Sequence, residues 1–274
     1  MPGSALYEQF MALHTRDGGL VLPNAWDGLS ALLLADAGFE AVATSSGALA
    51  ATLGRPDGRH EVGRDEHLEH ARLLGGLTGL PVNGDFEDGY GDTPEAVAAT
   101  VEAAVEHGLA GIGIEDTTGD PARPIRDFDD AVDRVRAAVA AAKRRIVVTG
   151  RTDNFIQGRP DLDDTIRRLT AFAEVGADVV YAPFPPDLGA LGAIVTAVAP
   201  TPVNVLVSPA DKVLTVDELR QAGVKRISLG PFLYAGAMAA LERAAKALVA
   251  GDLAAATAGM GFDRIGALIA GAKH

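Results

Sequence analysis

The chain contains no cysteine. That excludes a disulfide framework, a thiolate metal site and a catalytic thiol. Positive charge is scarce: 24 Lys and Arg stand against 37 Asp and Glu, a formal net charge of −13 over 274 residues. Nucleic-acid binding needs a basic footprint, so that class is excluded. Aromatic residues make up only 5%. No run reaches the ~18 consecutive apolar residues of a membrane span. Met1 to Gly19 lacks a basic stretch followed by an apolar core, so no secretory leader is expected and the protein reads as soluble and cytoplasmic. Disorder is excluded too, because 48% of residues are hydrophobic and only 22% are charged.

What is present is a recurrence of short apolar runs. Leu20–Ala25, Ala41–Ser46, Pro81–Glu87, Gly111–Asp116, Ile146–Asp153, Val179–Phe184, Pro202–Ser208 and Arg226–Gly230 read as buried parallel strands. They are rich in Val and Ile and do not alternate with polar residues, as strands covered on both faces should not. Helical stripes lie between them, such as Val97, Val101 and Val105, or Ile166, Leu169 and Phe172. Thr93-Pro94-Glu95 and the pair Thr215 and Glu218 carry helix-start signals. Gly38, Gly108, Gly176 and Gly223 each follow a helical pattern and precede a strand, where a left-handed C-cap is expected. Eight strands alternating with helices, at roughly 34 residues per unit, give the arithmetic of a (β/α)8 TIM barrel. A doubly wound sheet is disfavoured because the first strand is followed by Asn24-Ala25-Trp26-Asp27-Gly28 and not by a dinucleotide fingerprint. The reading is α/β, one barrel domain over 1–274, with an extra amphipathic C-terminal helix in the tail from about 251 to 274.

Barrel sites form at the C-terminal ends of the strands. Those ends here read Thr44-Ser45-Ser46-Gly47, Asp85-Phe86-Glu87-Asp88-Gly89-Tyr90-Gly91, Glu115-Asp116 and Arg151-Thr152-Asp153, while strand seven carries Asn204 and Ser208. Asp85 and Glu87, two apart, share one strand face, and Glu115 projects from the next strand. Carboxylates crowded in a barrel mouth resist ionisation unless a cation joins them. All-oxygen ligation points to Mg2+, with Mn2+ as the alternative. Arg151 suits bidentate recognition of a carboxylate or phosphate, and Ser45, Ser46 and Gly47 offer hydroxyl and N–H donors. The plainer alternative is that Arg151 and Asp153 pair with the acids and tie strands together. None of the six histidines lies at a strand end, and His67 and His70 read as a solvated helix face. Gly230-Pro231 reads either as a phosphate-binding turn or as a plain tight turn.

These segments resemble the isocitrate lyase / phosphoenolpyruvate mutase superfamily. The likeness runs from about Leu20 to Ala240. It rests on Leu22-Pro23-Asn24-Ala25-Trp26-Asp27 with Ser30-Ala31, on Thr44-Ser45-Ser46-Gly47, and on Gly54-Arg55-Pro56-Asp57-Gly58. It continues through Asp85–Gly91, Gly113-Ile114-Glu115-Asp116 and Gly150-Arg151-Thr152-Asp153. The resemblance implies a Mg2+-dependent enzyme acting on small 2-oxo or 2-hydroxy acids through enolate chemistry. It implies metal ligation by Asp85, with Glu87, Glu115 and Asp57 reaching the ion directly or through water. It implies catalytic roles for Asp57, Glu115 and Arg151. Substrate contacts would come from Trp26, Ser45, Ser46, Gly47, Arg151 and Asn204. It also implies a homo-oligomer, a tetramer or a dimer, with the last helix exchanged between subunits.

One departure narrows the function. The lyase branch carries a Lys-x-Cys-Gly-His segment after the fourth strand, with the cysteine as general acid. Here that loop is Thr117-Thr118-Gly119-Asp120-Pro121-Ala122-Arg123-Pro124. Arg123 and Arg126 either meet an anionic substrate or belong to a solvated loop. The leading expectation is a Mg2+-dependent carbon–carbon lyase or decarboxylase of a 2-oxo or 2-hydroxy acid whose proton donor is unassigned. Two alternatives stand beside it: a phosphonate C–P mutase or hydrolase, and a non-catalytic binder of 2-oxo acids.

Overall fold

The computed structural model describes residues 3–206 and 214–273. Eight parallel strands form its centre: β1 (Leu20–Leu22), β2 (Val42–Ala43), β3 (Val82–Asp85), β4 (Gly111–Glu115), β5 (Val147–Arg151), β6 (Val179–Tyr181), β7 (Val203–Val205) and β8 (Arg226–Ser228). Their spatial order is β1-β8-β7-β6-β5-β4-β3-β2. The ring closes just beyond β1, where Ala25 N–H donates to Ala43 O and Ala43 N–H donates to Pro23 O, each at 2.8 Å. Twelve helices are found among the described residues. The architecture is a (β/α)8 TIM barrel with extra helix at the C-terminus.

The expected local signals operate. Thr93 accepts a hydrogen bond from Ala96 N–H and starts Pro94–Glu106, with proline in its first turn. Thr215 and Glu218 form a reciprocal capping box. Gly38, Gly108, Gly176 and Gly223 all have φ between 77° and 102°, the left-handed turn between helix and strand. The strands are shorter than their apolar runs because the polar ends leave the ladder and flare into the mouth. Ser45 is no longer strand: its hydroxyl accepts Ala48 N–H and caps the helix Ser46–Thr52.

Apolar side chains between strands and outer helices form two large clusters, one around Phe86 and Ile112 and one around Phe172 and Val180. A third fills the lower barrel, where Tyr7 and Phe10 of the helix Ala5–Thr15 meet Leu20, Leu22 and Val147. His14 of that helix is fully buried against Phe10, and its Nδ1 lies 2.8 Å from Phe10 O.

Two expectations are corrected. His67 is not on a solvated face; it is fully buried, stacked on Phe86 at 4.4 Å and hydrogen-bonded to Thr44 and Tyr90. His70 is half-buried, with Nε2 3.0 Å from Trp26 O. The hydrophobic-to-polar period of that helix could not reveal this, because a histidine bonded at both nitrogens packs like an aromatic core residue. The tail holds two short helices, Leu253–Ala256 and Phe262–Ala270, in place of one. The second turns back onto the helix Gly28–Asp36, where Arg264 pairs with Asp36, and Lys273 N–H donates to Leu77 O at 2.9 Å. Among the described residues no helix is long and apolar enough to cross a membrane.

The buried histidines predict acid sensitivity. Burial, helped by the charge of Arg226, pushes His14 down to about 3, and burial pushes His67 down to about 4. Both are neutral in the fold and take up a proton more readily once unfolded. Their contribution to stability is therefore complete above about pH 6.5 and is lost as pH falls towards 3–4, at up to about 1.4 kcal/mol per unit per histidine. Urea midpoints measured from pH 7 to 4 should fall, and should fall less steeply for His14→Gln. An equal slope in that variant would exonerate His14.

Candidate active site

The upper barrel opens into a cavity of about 450 Å³. Inward side chains recur every second residue along each strand. The ladder register sets Glu115, Arg151, Tyr181 and Asn204 side by side across β4 to β7. Of the residues singled out in the sequence, Ser45, Ser46, Gly47, Asp57, Asp85, Glu87, Glu115, Arg151 and Asn204 all line this cavity. Trp26 does not: it packs edge-on against Tyr234 of the helix Phe232–Val249, with ring centroids 5.6 Å apart. Its place in the first-strand motif is structural, joining barrel to C-terminal helix. Ser208 lies outside the described residues.

Arg151 is the hub. Its Nε and Nη2 clasp the two oxygens of Asp153 at 2.6 and 2.9 Å. Its Nη1 reaches Glu115 at 2.6 Å and Asp85 at 3.3 Å. Among the described residues, Nη2 has one hydrogen bond, to Asp153. The strand-tying alternative thus describes most of what Arg151 does in this structure. Asp85 also accepts Ser46 N–H at 3.1 Å and Ser46 Oγ–H at 3.2 Å. Asp57 sits directly over Gly47, where a Cβ would come within 2.9 Å of its Oδ2. A larger residue at that position would push the Asp57 carboxylate aside.

The mouth holds more negative charge than its arginines balance. Burial lifts the Asp57 carboxyl above its usual range, and the charge of Asp85 adds to the effect. Burial lifts Glu87 to about 7. Glu115 is pushed well up by burial although Arg151 opposes the shift. Glu87 is held with φ +47°, a left-handed backbone costing an L-residue about 1–2 kcal/mol. His60 N–H donates to it at 3.3 Å. These hard oxygen donors suit a divalent cation in chemistry and in charge. They share one cavity, yet among the described residues no three His, Asp or Glu side chains are gathered into a metal-holding group.

Several functional neighbours were not anticipated. Arg226, at the start of β8, is buried beneath the site. It bonds Thr149 Oγ1 at 3.1 Å and Asn83 Oδ1 at 3.4 Å, and no carboxylate partner is found among the described residues. A cation opening an otherwise apolar strand was its one sequence signal. Asn24 accepts Leu229 N–H and Gly230 N–H at 3.0 and 2.8 Å and donates to Thr44 O at 2.6 Å. The Gly230-Pro231 segment is therefore a turn pinned to β1, its N–H already engaged. On the loop after β4, Arg126 is engaged by Asp88 at 2.7 Å and Asp130 at 3.1 Å, whereas Arg123 is exposed. Thr117, Gly119, Asp120 and Pro121 of that loop form the cavity rim.

A (β/α)8 barrel with a carboxylate-lined mouth defines the general class. Comparison with known proteins defines the family. Residues 10–249 match the family model described as phosphoenolpyruvate phosphomutase, and the chain belongs to that family, within the isocitrate lyase / PEP mutase superfamily. It is 33% identical over 256 residues to the 2-methylisocitrate lyase of Escherichia coli strain K12, spanning 89% of this chain and 82% of that enzyme. Among solved structures, a protein of Burkholderia cenocepacia J2315 provisionally described as a lyase/mutase superposes with a TM-score of 0.92. It is 42% identical, over 96% of this chain and 95% of that one. Oxaloacetate acetylhydrolase bound to its product oxalate superposes with a TM-score of 0.84 at 26% identity, over 97% and 94% of the two chains. Relatives of this chain are thus lyases or mutases of small acids.

Proposed function

We propose that this protein is a Mg2+-dependent carbon–carbon lyase or decarboxylase of a small 2-oxo or 2-hydroxy carboxylic acid. The observation that carries the reading is the cavity itself, which Asp57, Asp85, Glu87 and Glu115 all line, with more acids than Arg151 balances. Asp85 would hold the cation, with the other three carboxylates reaching it directly or through water. A bound Mg2+ supplies Lewis acidity towards the C1 carboxylate and C2 oxygen of such an acid. The chain's own residues do the rest. Ser46 and Arg151 fix the Asp85 carboxylate from two sides. Arg151 and the hydroxyls and N–H groups at Ser45–Gly47 orient the substrate carboxylate. Asn204 Oδ1, buried and without a hydrogen-bond partner among the described residues, is left to accept a donor from the ligand. The rim loop 117–124 shields the reacting carbon from water.

The test is a panel of oxaloacetate, 2-methylmalate-type acids, isocitrate and phosphonopyruvate, each with Mg2+. Release of pyruvate or another 2-oxo acid without phosphate is expected. Phosphate release would move the protein to C–P chemistry, and binding without turnover would make it a 2-oxo-acid binder. A homo-oligomer, tetramer or dimer, belongs to the same proposal. The helix Phe232–Val249 buries none of its residues in the single chain, and Leu241, Leu248, Val249 and Phe262 stand exposed. A monomeric mass in solution would remove it.

A further inference from the structure

With no cysteine in the chain, the proton that ends the reaction needs another source. The described residues that line the cavity include no Lys, His or Cys. Guanidinium groups hold their protons throughout the accessible pH range. Apart from the carboxylates, including Asp120 at the rim, the strongest proton donor in the lining is the phenol of Tyr181.

We propose that Tyr181 is the catalytic acid that protonates the enolate carbon, an assignment that rests on the lyase reading above. Three contacts prepare it. Tyr181 stands in the inward row between Arg151 and Asn204. The Arg151 guanidinium carbon lies 5.1 Å from its ring centroid. The Ser228 hydroxyl, which also lines the cavity, accepts Asn204 Nδ2–H at 3.0 Å and favours the phenolate form of Tyr181. Burial lifts the phenol above its ordinary range, so it waits protonated, while Arg151 and Ser228 work the other way and hold the phenolate when it forms. In the step, the enolate π electrons form a new C–H bond. The Tyr181 O–H bond breaks and its electron pair stays on Oη. A water molecule then returns a proton to the phenolate, so a decarboxylation consumes one proton from solvent, whereas in cleavage of a 2-hydroxy acid the proton lost from the C2 hydroxyl offsets it.

Methyl-proton exchange of pyruvate in D2O with Mg2+, followed by NMR, isolates this step because it runs the same proton transfer in both directions without C–C cleavage. Wild-type protein should exchange the methyl protons. Tyr181→Phe should exchange about a hundredfold more slowly or worse, while binding oxalate in the presence of Mg2+ within about threefold of wild type, as loss of one hydroxyl leaves the carboxylate contacts in place. Exchange at the wild-type rate in the variant would overturn the assignment. So would joint loss of exchange and oxalate binding, which would make Tyr181 a structural support. If wild type decarboxylates a 2-oxo acid of the panel yet never exchanges the methyl protons of its 2-oxo product, the proton donor is wrong and the lyase reading stands. If no panel acid turns over, the lyase reading itself fails and the assignment falls with it.

Discussion

Asp85→Ala should lower turnover by about a thousandfold, a transition-state loss of roughly 4 kcal/mol, with little change in stability. Asp85 is the acid at the centre of the mouth, touched by Ser46 from one side and Arg151 from the other. Deleting it removes the principal expected contact to the cation. It also removes one of several like charges, and Arg151 keeps Glu115 and Asp153. The fold should therefore tolerate the change. A binding readout separates this from simple damage. Wild-type protein should melt at a higher temperature with millimolar Mg2+ than without, because a ligand bound only by the native state stabilises it by mass action. Asp85→Ala should lose that increment while its metal-free melting temperature stays within a few degrees. An unchanged Mg2+ increment and unchanged turnover in the variant would take Asp85 out of the metal site.

How far the sequence could be read follows from what each feature depends on. The barrel was legible because strand and helix are local patterns: Val- and Ile-rich runs, the Thr93 and Thr215 caps and the four junction glycines each carry their own physical reason. That the strand-end residues line one cavity was legible because strand ends in a barrel share one mouth, which Asp85, Glu87, Glu115 and Arg151 all reach. Partner choice was not legible. Whether Arg151 faces a substrate or clasps Asp153 depends on distances of a few ångströms across neighbouring strands, which spacing does not encode. Trp26 sat in the right motif but turned outward to Tyr234, a residue more than two hundred positions away. Tyr181 and Arg226 read as strand residues of β6 and β8. Only the closed ring shows that both face inward, one beside the acids and one beneath them.

Arg151→Met tests the opposite side of the same balance and should be the most destabilising change at the site. The guanidinium is buried, and three carboxylates share it at 2.6 to 3.3 Å. Removing one partner of a buried ion pair typically costs about 3–5 kcal/mol, because the remaining charge is left without compensation. Here several acids are left together. Burial already holds Glu115 well above its normal range with Arg151 present, and without the arginine that displacement should grow. A carboxyl whose folded pKa lies above its unfolded value binds protons more tightly when folded. Between pH 7 and the unfolded carboxyl range near 4 this gain opposes the loss from the buried histidines, so the variant should lose less stability than wild type as pH falls. Mg2+ should stabilise it more than it stabilises wild type, since a divalent cation can stand in for the missing charge. Turnover should stay low even in Mg2+, because the carboxylates lose their fixed orientation and the phenol of Tyr181 loses its neighbouring cation. The measurement is a grid of melting temperatures across pH and Mg2+ for both proteins. A variant that melts like wild type across the whole grid would mean that the acids of the mouth are not held by Arg151 at all.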